Sequence, residues 1–303
     1  MAKAAFLFPG QGAQYTGMGR QLFECSPAAA EVFARADAIR PGTSRQCFEG
    51  SLEELTQTKN TQPCMFTAEL AAAAALRESG IEPVAAAGFS LGEITALTFA
   101  GMVSFEEGFR LVCARGEFMQ RASEAVDSSM AAVLKLPDEK VEELASKYEH
   151  VYPVNYNCPG QVSCAGLRQE LEAFSADVKA AGGRAVPLKV AGAFHSPFMD
   201  SAARELEAYL AQLEIKPPRL DIYSDCTGQV YQPDYRELIC RQVCSPVRWQ
   251  RIIENMSRAG VDTFIEVGPG KTLSGLVKKT LTDVRIYGVE DAEGLKKVLS
   301  EVQ

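Results

Sequence analysis

Val84-Ala85-Ala86-Ala87-Gly88-Phe89-Ser90-Leu91-Gly92-Glu93 is the stretch whose reading decides the fold. The run Val84–Phe89 is short and apolar and predicts a buried strand. It stops at Ser90-Leu91-Gly92, and from Glu93 to Ala100 the pattern turns helical. Strand, tight turn and helix in succession form the unit of a parallel α/β sheet. Gly88–Gly92 also fits G-x-S-x-G, where glycines leave room for a sharp turn that exposes the serine oxygen above the sheet. The next backbone N–H, that of Leu91, then faces any oxyanion forming at the helix N-terminus. The plainer alternative is a tight structural turn.

Working outward, Ala4–Phe8 predicts a second buried strand, halted by Pro9-Gly10-Gln11-Gly12. A helix is expected from Pro63 to Ser79, ending at Gly80. Ser104 with Glu107 three residues on reads as a capping box opening another helix, with Phe105, Phe109, Val112 and Met119 on one face. Beyond it the rhythm changes. Met130–Leu136 predicts a strand, Asp138–Tyr148 a helix, Val151–Asn157 and Gln161–Ala165 a hairpin, Leu167–Ala181 a helix and Arg184–Lys189 a strand. That order, β-α-β-β-α-β, is the ferredoxin-like one. Leu220–Ser224, Thr263–Val267 and Ile286–Val289 complete the core strands. The expected fold class is α/β: a large α/β-hydrolase-like domain with a parallel sheet, residues 1–127 and 191–303, and an inserted small ferredoxin-like domain, residues 128–190.

A chain of 303 residues can bury roughly three quarters of its unfolded surface without a metal or disulfide staple. Its nine cysteines include no C-x-x-C pair, which predicts reduced thiols and no metal site. A net charge of −8 argues against nucleic-acid binding, which needs a basic surface. Lys3 is followed only by Ala4–Phe8 before Pro9-Gly10 breaks the run, which is no signal-peptide pattern. Ala68–Leu76 is too short to span a bilayer. The chain therefore reads as cytoplasmic and without a membrane partner, and nothing in it demands more than a monomer.

A serine nucleophile commonly takes histidine as its base, and this chain has two histidines. His150 ends a polar helix, where a solvated or capping role fits. His195 lies in Ala191-Gly192-Ala193-Phe194-His195-Ser196-Pro197, a loop at the domain junction, and is the candidate base; a buried histidine satisfied by backbone groups is the alternative. Arg115 shares a helix face with Leu111, Val112, Phe118 and Met119, so its guanidinium needs an anion. Glu117 or Glu93 as a structural partner is the plainer account; a ligand carboxylate held by two parallel bonds is the other. Gly268-Pro269-Gly270-Lys271-Thr272 lacks the first glycine of a phosphate-binding P-loop. Gly10-Gln11-Gly12 lacks the third glycine of a dinucleotide fingerprint, having Tyr15 there.

Taken together, Phe8–Gln14, Gly88–Glu93, Arg115–Gln120, Asn155–Gln161, Gly192–Met199 and Glu266–Thr272 resemble the ordered motifs of malonyl-CoA:acyl carrier protein transacylases. The resemblance runs from the first strand to about Leu276. It implies Ser90 as nucleophile, His195 as general base, and the backbone N–H groups of Gln11 and Leu91 as the oxyanion hole. It implies that the backbone carbonyl of Gln242 orients the histidine in place of an acid, and that Arg115 binds the free malonyl carboxylate beside Gln11 and Phe194. Family members often carry histidine where this chain has Phe89. No bound cofactor is implied, since the coenzyme A thioester is itself the substrate. The implied partners are malonyl-CoA and acyl carrier protein, and the implied reaction is ping-pong malonyl transfer for fatty acid synthesis. Phe194 is expected to crowd a methyl branch, and Lys271, Lys278 and Lys279 to offer the carrier protein a basic patch. A free-standing acyltransferase serving a polyketide synthase would keep the same residues. A serine acyl hydrolase would share the elbow and base, and a non-catalytic carrier-protein scaffold would need neither.

Overall fold

The computed structural model describes residues 3–302. Its nine strands among the described residues are β1 Ala4–Phe8, β2 Ala85–Gly88, β3 Ser128–Leu134, β4 Val151–Cys158, β5 Gln161–Leu167, β6 Arg184–Pro187, β7 Asp221–Tyr223, β8 Thr263–Val267 and β9 Arg285–Val289. Five form a parallel sheet in the order β7-β2-β1-β8-β9. β1 is central, and alternate residues point to opposite faces. Phe6, Phe8 and Ala86 enter one core, while Ala5, Leu7, Ala85 and Ala87 enter the other. Burial on both faces explains why these strands read as unbroken apolar runs.

The register Phe8↔Gly88 brings β1 and β2 to an end side by side. The loop Pro9–Gly12 and the turn at Ser90 therefore leave the same edge of the sheet, at the carboxyl ends of its strands, where open α/β sheets build their sites. Three helices, Thr58–Glu78, Leu91–Phe99 and Phe105–Glu124, pack on one another and share the core of Phe6 and Phe8. The last opens with the expected capping box, Ser104 with Glu107. The first begins at Thr58 rather than at Pro63, so Pro63 lies inside it. Pro63 lies past the first-turn amides, so it forfeits the intrahelical bond that its amide would otherwise donate to the Lys59 carbonyl.

The second sheet has the order β4-β5-β3-β6 with every neighbouring pair antiparallel. With helices Asp138–Ala145 and Arg168–Ala180 between strands, this is a β-α-β-β-α-β unit. Its helices cover one face through Val133, Val162, Val141, Leu171, Phe174 and Val178. The opposite face meets the rest of the molecule: Val154 and Ala165 join the main core, and Val247 N–H donates to the Val154 carbonyl at 2.8 Å. All nine cysteines are free thiols.

Candidate active site

The elbow is a steric construction. A Cβ on Gly88 would lie 1.8 Å from the Gly92 carbonyl, and one on Gly92 would lie 2.2 Å from the Phe8 carbonyl oxygen. Only glycine at both positions lets the chain reverse against β1. Between them Ser90 takes φ 57°, ψ −106°, a conformation that costs a non-glycine residue about 1–3 kcal/mol. His195 is likewise held at φ 61°.

The two strained residues meet. His195 Nε2 lies 2.8 Å from Ser90 Oγ, and His195 Nδ1 lies 2.8 Å from the Gln242 carbonyl oxygen. A carbonyl only accepts, so Nδ1 carries the ring proton and Nε2 presents its lone pair to the serine hydroxyl. Burial, helped by the Arg115 charge and opposed by bonds to Gln242 and Ser245, lowers the His195 pKa to about 4. The imidazole is thus neutral near pH 7 and able to take a proton.

Arg115, 1% exposed, reaches the same oxygen. Its Nη2 donates to Ser90 Oγ at 3.2 Å and to Gln242 Oε1 at 2.7 Å. Its Nε and Nη1 are buried without a partner among the described residues. The ion pair with Glu117 or Glu93 that the sequence favours is absent: Glu117 is exposed. The Glu93 Oε1 accepts from the Asp225 N–H and the Tyr231 hydroxyl, both at 2.9 Å. Burial lowers the Arg115 pKa to about 10 while Glu93 and Asp225 pull it back up, so the guanidinium stays charged.

Within the elbow, Gly92 N–H donates to Phe89 O at 3.0 Å and Glu93 N–H to Ser90 O at 3.1 Å. The N–H groups of Leu91 and Gln11 have no acceptor among the described residues. A Cβ on Gly10 would sit 2.7 Å from the Phe89 carbonyl oxygen, so the Gln11 loop lies directly on the elbow. Both N–H groups belong to segments flanking Ser90. Phe89 packs against Trp249 with ring centroids 5.4 Å apart and lines a cleft of about 250 Å³ with Gln11, Asn155, Asn157, Leu273 and Leu276. Phe194 is buried in the main core next to His195.

His150 stands outside this constellation, its Nδ1 lying 2.8 Å from Glu170 Oε1. Three contributors escaped the sequence reading. Asp225 Oδ2 accepts from the Ser90 N–H at 2.7 Å, Glu93 holds the Asp225 N–H, and the Gln242 side chain donates to both Ser90 O and Asp225 Oδ2. No neighbouring motif marks Asp225, and Glu93 was visible only as a candidate partner for Arg115.

The acyl transferase domain model matches residues 5–298. The chain belongs to the acyl transferase family. The malonyl CoA-acyl carrier protein transacylase of Bacillus subtilis is 40% identical to this acyltransferase over 311 residues, covering 100% of this chain and 98% of its own. The crystal structure of the transacylase of the same name from Clostridium perfringens superposes with a TM-score of 0.96 at 40% identity, covering 99% and 97% of the two chains. A malonyl-transacylase solved in complex with its type II PKS acyl-carrier protein gives 0.95 at 33% identity, covering 99% of each chain. Among the described residues of the acyltransferase no helix is long and apolar enough to cross a membrane, and no cluster of side chains is arranged to hold a metal ion.

Proposed function

We propose that this acyltransferase moves the malonyl group from malonyl-CoA to the phosphopantetheine thiol of an acyl carrier protein, in the cytoplasm, for fatty acid synthesis. The observation that carries the reading is the buried Arg115 guanidinium, in contact with Ser90 Oγ through Nη2 while Nε and Nη1 lack partners. An acyl group esterified to Ser90 that ends in a carboxylate supplies the missing anion. An acetyl group leaves the charge unpaired, which is how a buried polar site rejects a ligand lacking the matching group.

Ser90 Oγ attacks the thioester carbonyl as its proton passes to His195 Nε2, with the Gln242 carbonyl holding the imidazole through Nδ1–H. The tetrahedral oxyanion is stabilised by the Gln11 and Leu91 N–H groups, a term that can exceed 3 kcal/mol per donor, at about 2.7–4 kcal/mol. Collapse breaks the C–S bond, and the imidazolium returns the proton to the departing coenzyme A thiolate. The carrier thiol then attacks the malonyl ester by the same steps, and the Ser90 hydroxyl is restored. No resident cofactor enters these steps. Phe194, packed beside the base, disfavours a methyl branch on the acyl group. Lys271, Lys278 and Lys279 are exposed next to the cleft-lining Thr272, Leu273 and Leu276 and offer the carrier a basic patch. Lys271 already faces Glu290 at 3.7 Å, and Lys279 reaches Gln161 Oε1 at 3.1 Å.

The neighbour solved with a type II PKS acyl-carrier protein supports a second reading, a free-standing acyltransferase whose carrier belongs to a polyketide synthase. Intact-protein mass spectrometry after brief mixing with malonyl-CoA tests the chemistry. A malonyl adduct on wild type, absent in Ser90→Ala and discharged by carrier protein, is the expected result. Free malonate accumulating without adduct or transfer would mean a hydrolase. The preferred carrier, fatty acid or polyketide, decides between the two transferase readings.

A further inference from the structure

The chain contains S-x-x-E three times at the start of a helix, at Ser51, Ser90 and Ser104, and the copy at Ser90 behaves differently. Ser51 Oγ accepts from the Glu54 N–H at 3.1 Å, as a capping serine does. At Ser104-Phe105-Glu106-Glu107 the pair closes a full capping box. Ser104 Oγ accepts from the Glu107 N–H at 3.2 Å, and Glu107 Oε2 accepts from the Ser104 N–H at 2.9 Å. At Ser90-Leu91-Gly92-Glu93, Ser90 is again the residue before the helix, yet its side chain makes no capping bond. The Ser90 N–H goes instead to Asp225 Oδ2 at 2.7 Å, and the Glu93 carboxylate goes to the Asp225 N–H at 2.9 Å. Asp225, fully buried just past β7, thus takes both partners of one arm of the box, the Ser90 N–H and the Glu93 carboxylate. The Glu93 N–H of the other arm donates to the Ser90 carbonyl at 3.1 Å and leaves Oγ free. Ser104 has φ −67°, ψ 163°, the usual extended geometry of a capping residue. Ser90 is held at φ 57°, ψ −106°, with Oγ turned to His195 and Arg115.

We propose that Asp225 is a positioning residue that keeps the nucleophile out of its own helix cap. By accepting the Ser90 N–H and engaging Glu93 through its own N–H, it holds the strained elbow, so that Oγ serves His195 rather than the first turn of Leu91–Phe99. Gln242, whose side chain donates to both Ser90 O and Asp225 Oδ2, braces the same arrangement from the histidine side. What is needed from residue 225 is an acceptor at Oδ2, which asparagine can supply and alanine cannot.

The role of Ser90 rests on the proposed acyl transfer, so the test measures nucleophile presentation independently of malonate. Wild type, Asp225→Ala and Asp225→Asn are reacted with a small fluorophosphonate, in which Ser90 Oγ forms a P–O bond, fluoride leaves and the proton passes to His195. Single-turnover malonyl loading is followed alongside. Asp225→Ala should react on the order of 10- to 100-fold more slowly with both reagents. It should still reach one adduct per chain, with the malonyl-CoA concentration for half-maximal rate unchanged. Asp225→Asn should recover most of the rate. Full stoichiometry separates a slower nucleophile from a smaller folded fraction. An Asp225→Ala rate equal to wild type overturns the proposal. So does a wild-type rate constant at reduced stoichiometry, which marks a folding role only, or an Asp225→Asn as slow as the alanine variant. If wild type takes the phosphonate but no malonyl group, the transfer reading fails while the Asp225 comparison still decides this one. If wild type takes neither, both fall.

Discussion

Replacing Arg115 with alanine gives the sharpest test of substrate choice. In the free protein Nη2 bonds Ser90 Oγ and Gln242 Oε1, while Nε and Nη1 are buried and unpaired. A charge-assisted hydrogen bond is worth about 1.5–3 kcal/mol, and a buried carboxylate stripped of its cation costs about 3–5 kcal/mol. The malonyl group in Arg115→Ala meets the second loss, which already contains the first, in a pocket that also holds Glu93 and Asp225. A net change of about 4 kcal/mol corresponds to roughly 10³-fold in the rate of malonyl loading. Acetyl loading makes neither bond, so it should hold or rise as the unpaired cation disappears. The assay is single-turnover acylation with malonyl-CoA and acetyl-CoA under identical conditions, read by intact mass. The informative quantity is the ratio of the two rates, because lost packing around the shortened side chain lowers both together. Arg115→Lys, with a point charge in place of the planar fork, should fall between wild type and alanine. A malonyl-to-acetyl ratio unchanged in Arg115→Ala would refute the assignment of the guanidinium to the acyl carboxylate.

Three further outcomes follow from the same geometry. In the proposed mechanism His195 must be neutral to act, and its pKa is lowered to about 4. Malonyl loading at limiting substrate should therefore stay level as pH drops below 6 and decline only as it falls through about 4; an acid limb near the ordinary histidine value of about 6.5 would overturn the buried-base account. Because the folded state resists protonation, the unfolded chain binds the proton first. The His195 contribution to stability is complete above about pH 6.5 and is lost between there and about pH 4, amounting to about 3 kcal/mol. Comparison of melting temperatures with His195→Gln across that window measures it. Gly92→Ala places a methyl group 2.2 Å from the Phe8 carbonyl oxygen and 2.6 Å from that of Pro9, so the elbow must separate from β1. Its loading rate should drop on the order of 100-fold, with a stability loss of about 1–3 kcal/mol by denaturant titration. Wild-type loading by that variant would show that the close approach of Gly92 to β1 is dispensable.

The parts of this molecule that are legible in the sequence are those whose physics is local. β1 has the bounds that its apolar run predicts, because a strand buried on both faces carries no competing polar pattern. β8 keeps its predicted bounds although it holds Glu266, which accepts from the Leu273 and Ser274 N–H groups. The β-α-β-β-α-β order of residues 128–187 is likewise written in the alternation of short strands and amphipathic helices. The elbow is legible because its glycines are required by contacts within five residues and with the adjoining strand. Arg115 is the intermediate case. Its position on an apolar face announces a buried cation in need of an anion, but sequence proximity points to Glu117 and Glu93. Glu117 is on the far, solvent side, and Glu93 is already engaged by Asp225 and Tyr231. Asp225 and the Gln242 side chain are illegible for a stronger reason. Asp225 lies 135 positions from Ser90 in a segment with no motif, and it arrives only because β7 pairs with β2 in the register Ala87↔Tyr223. Gln242 sits 152 positions away, in the short turn after helix Tyr235–Arg241, and its two roles use different atoms: the backbone carbonyl for His195 and the amide for Ser90, Asp225 and Arg115. Residue type at such positions is constrained by what another strand brings opposite it. The same S-x-x-E spelling therefore closes a helix cap at Ser104, and at Ser90, where β7 brings Asp225 alongside, leaves the hydroxyl free for His195.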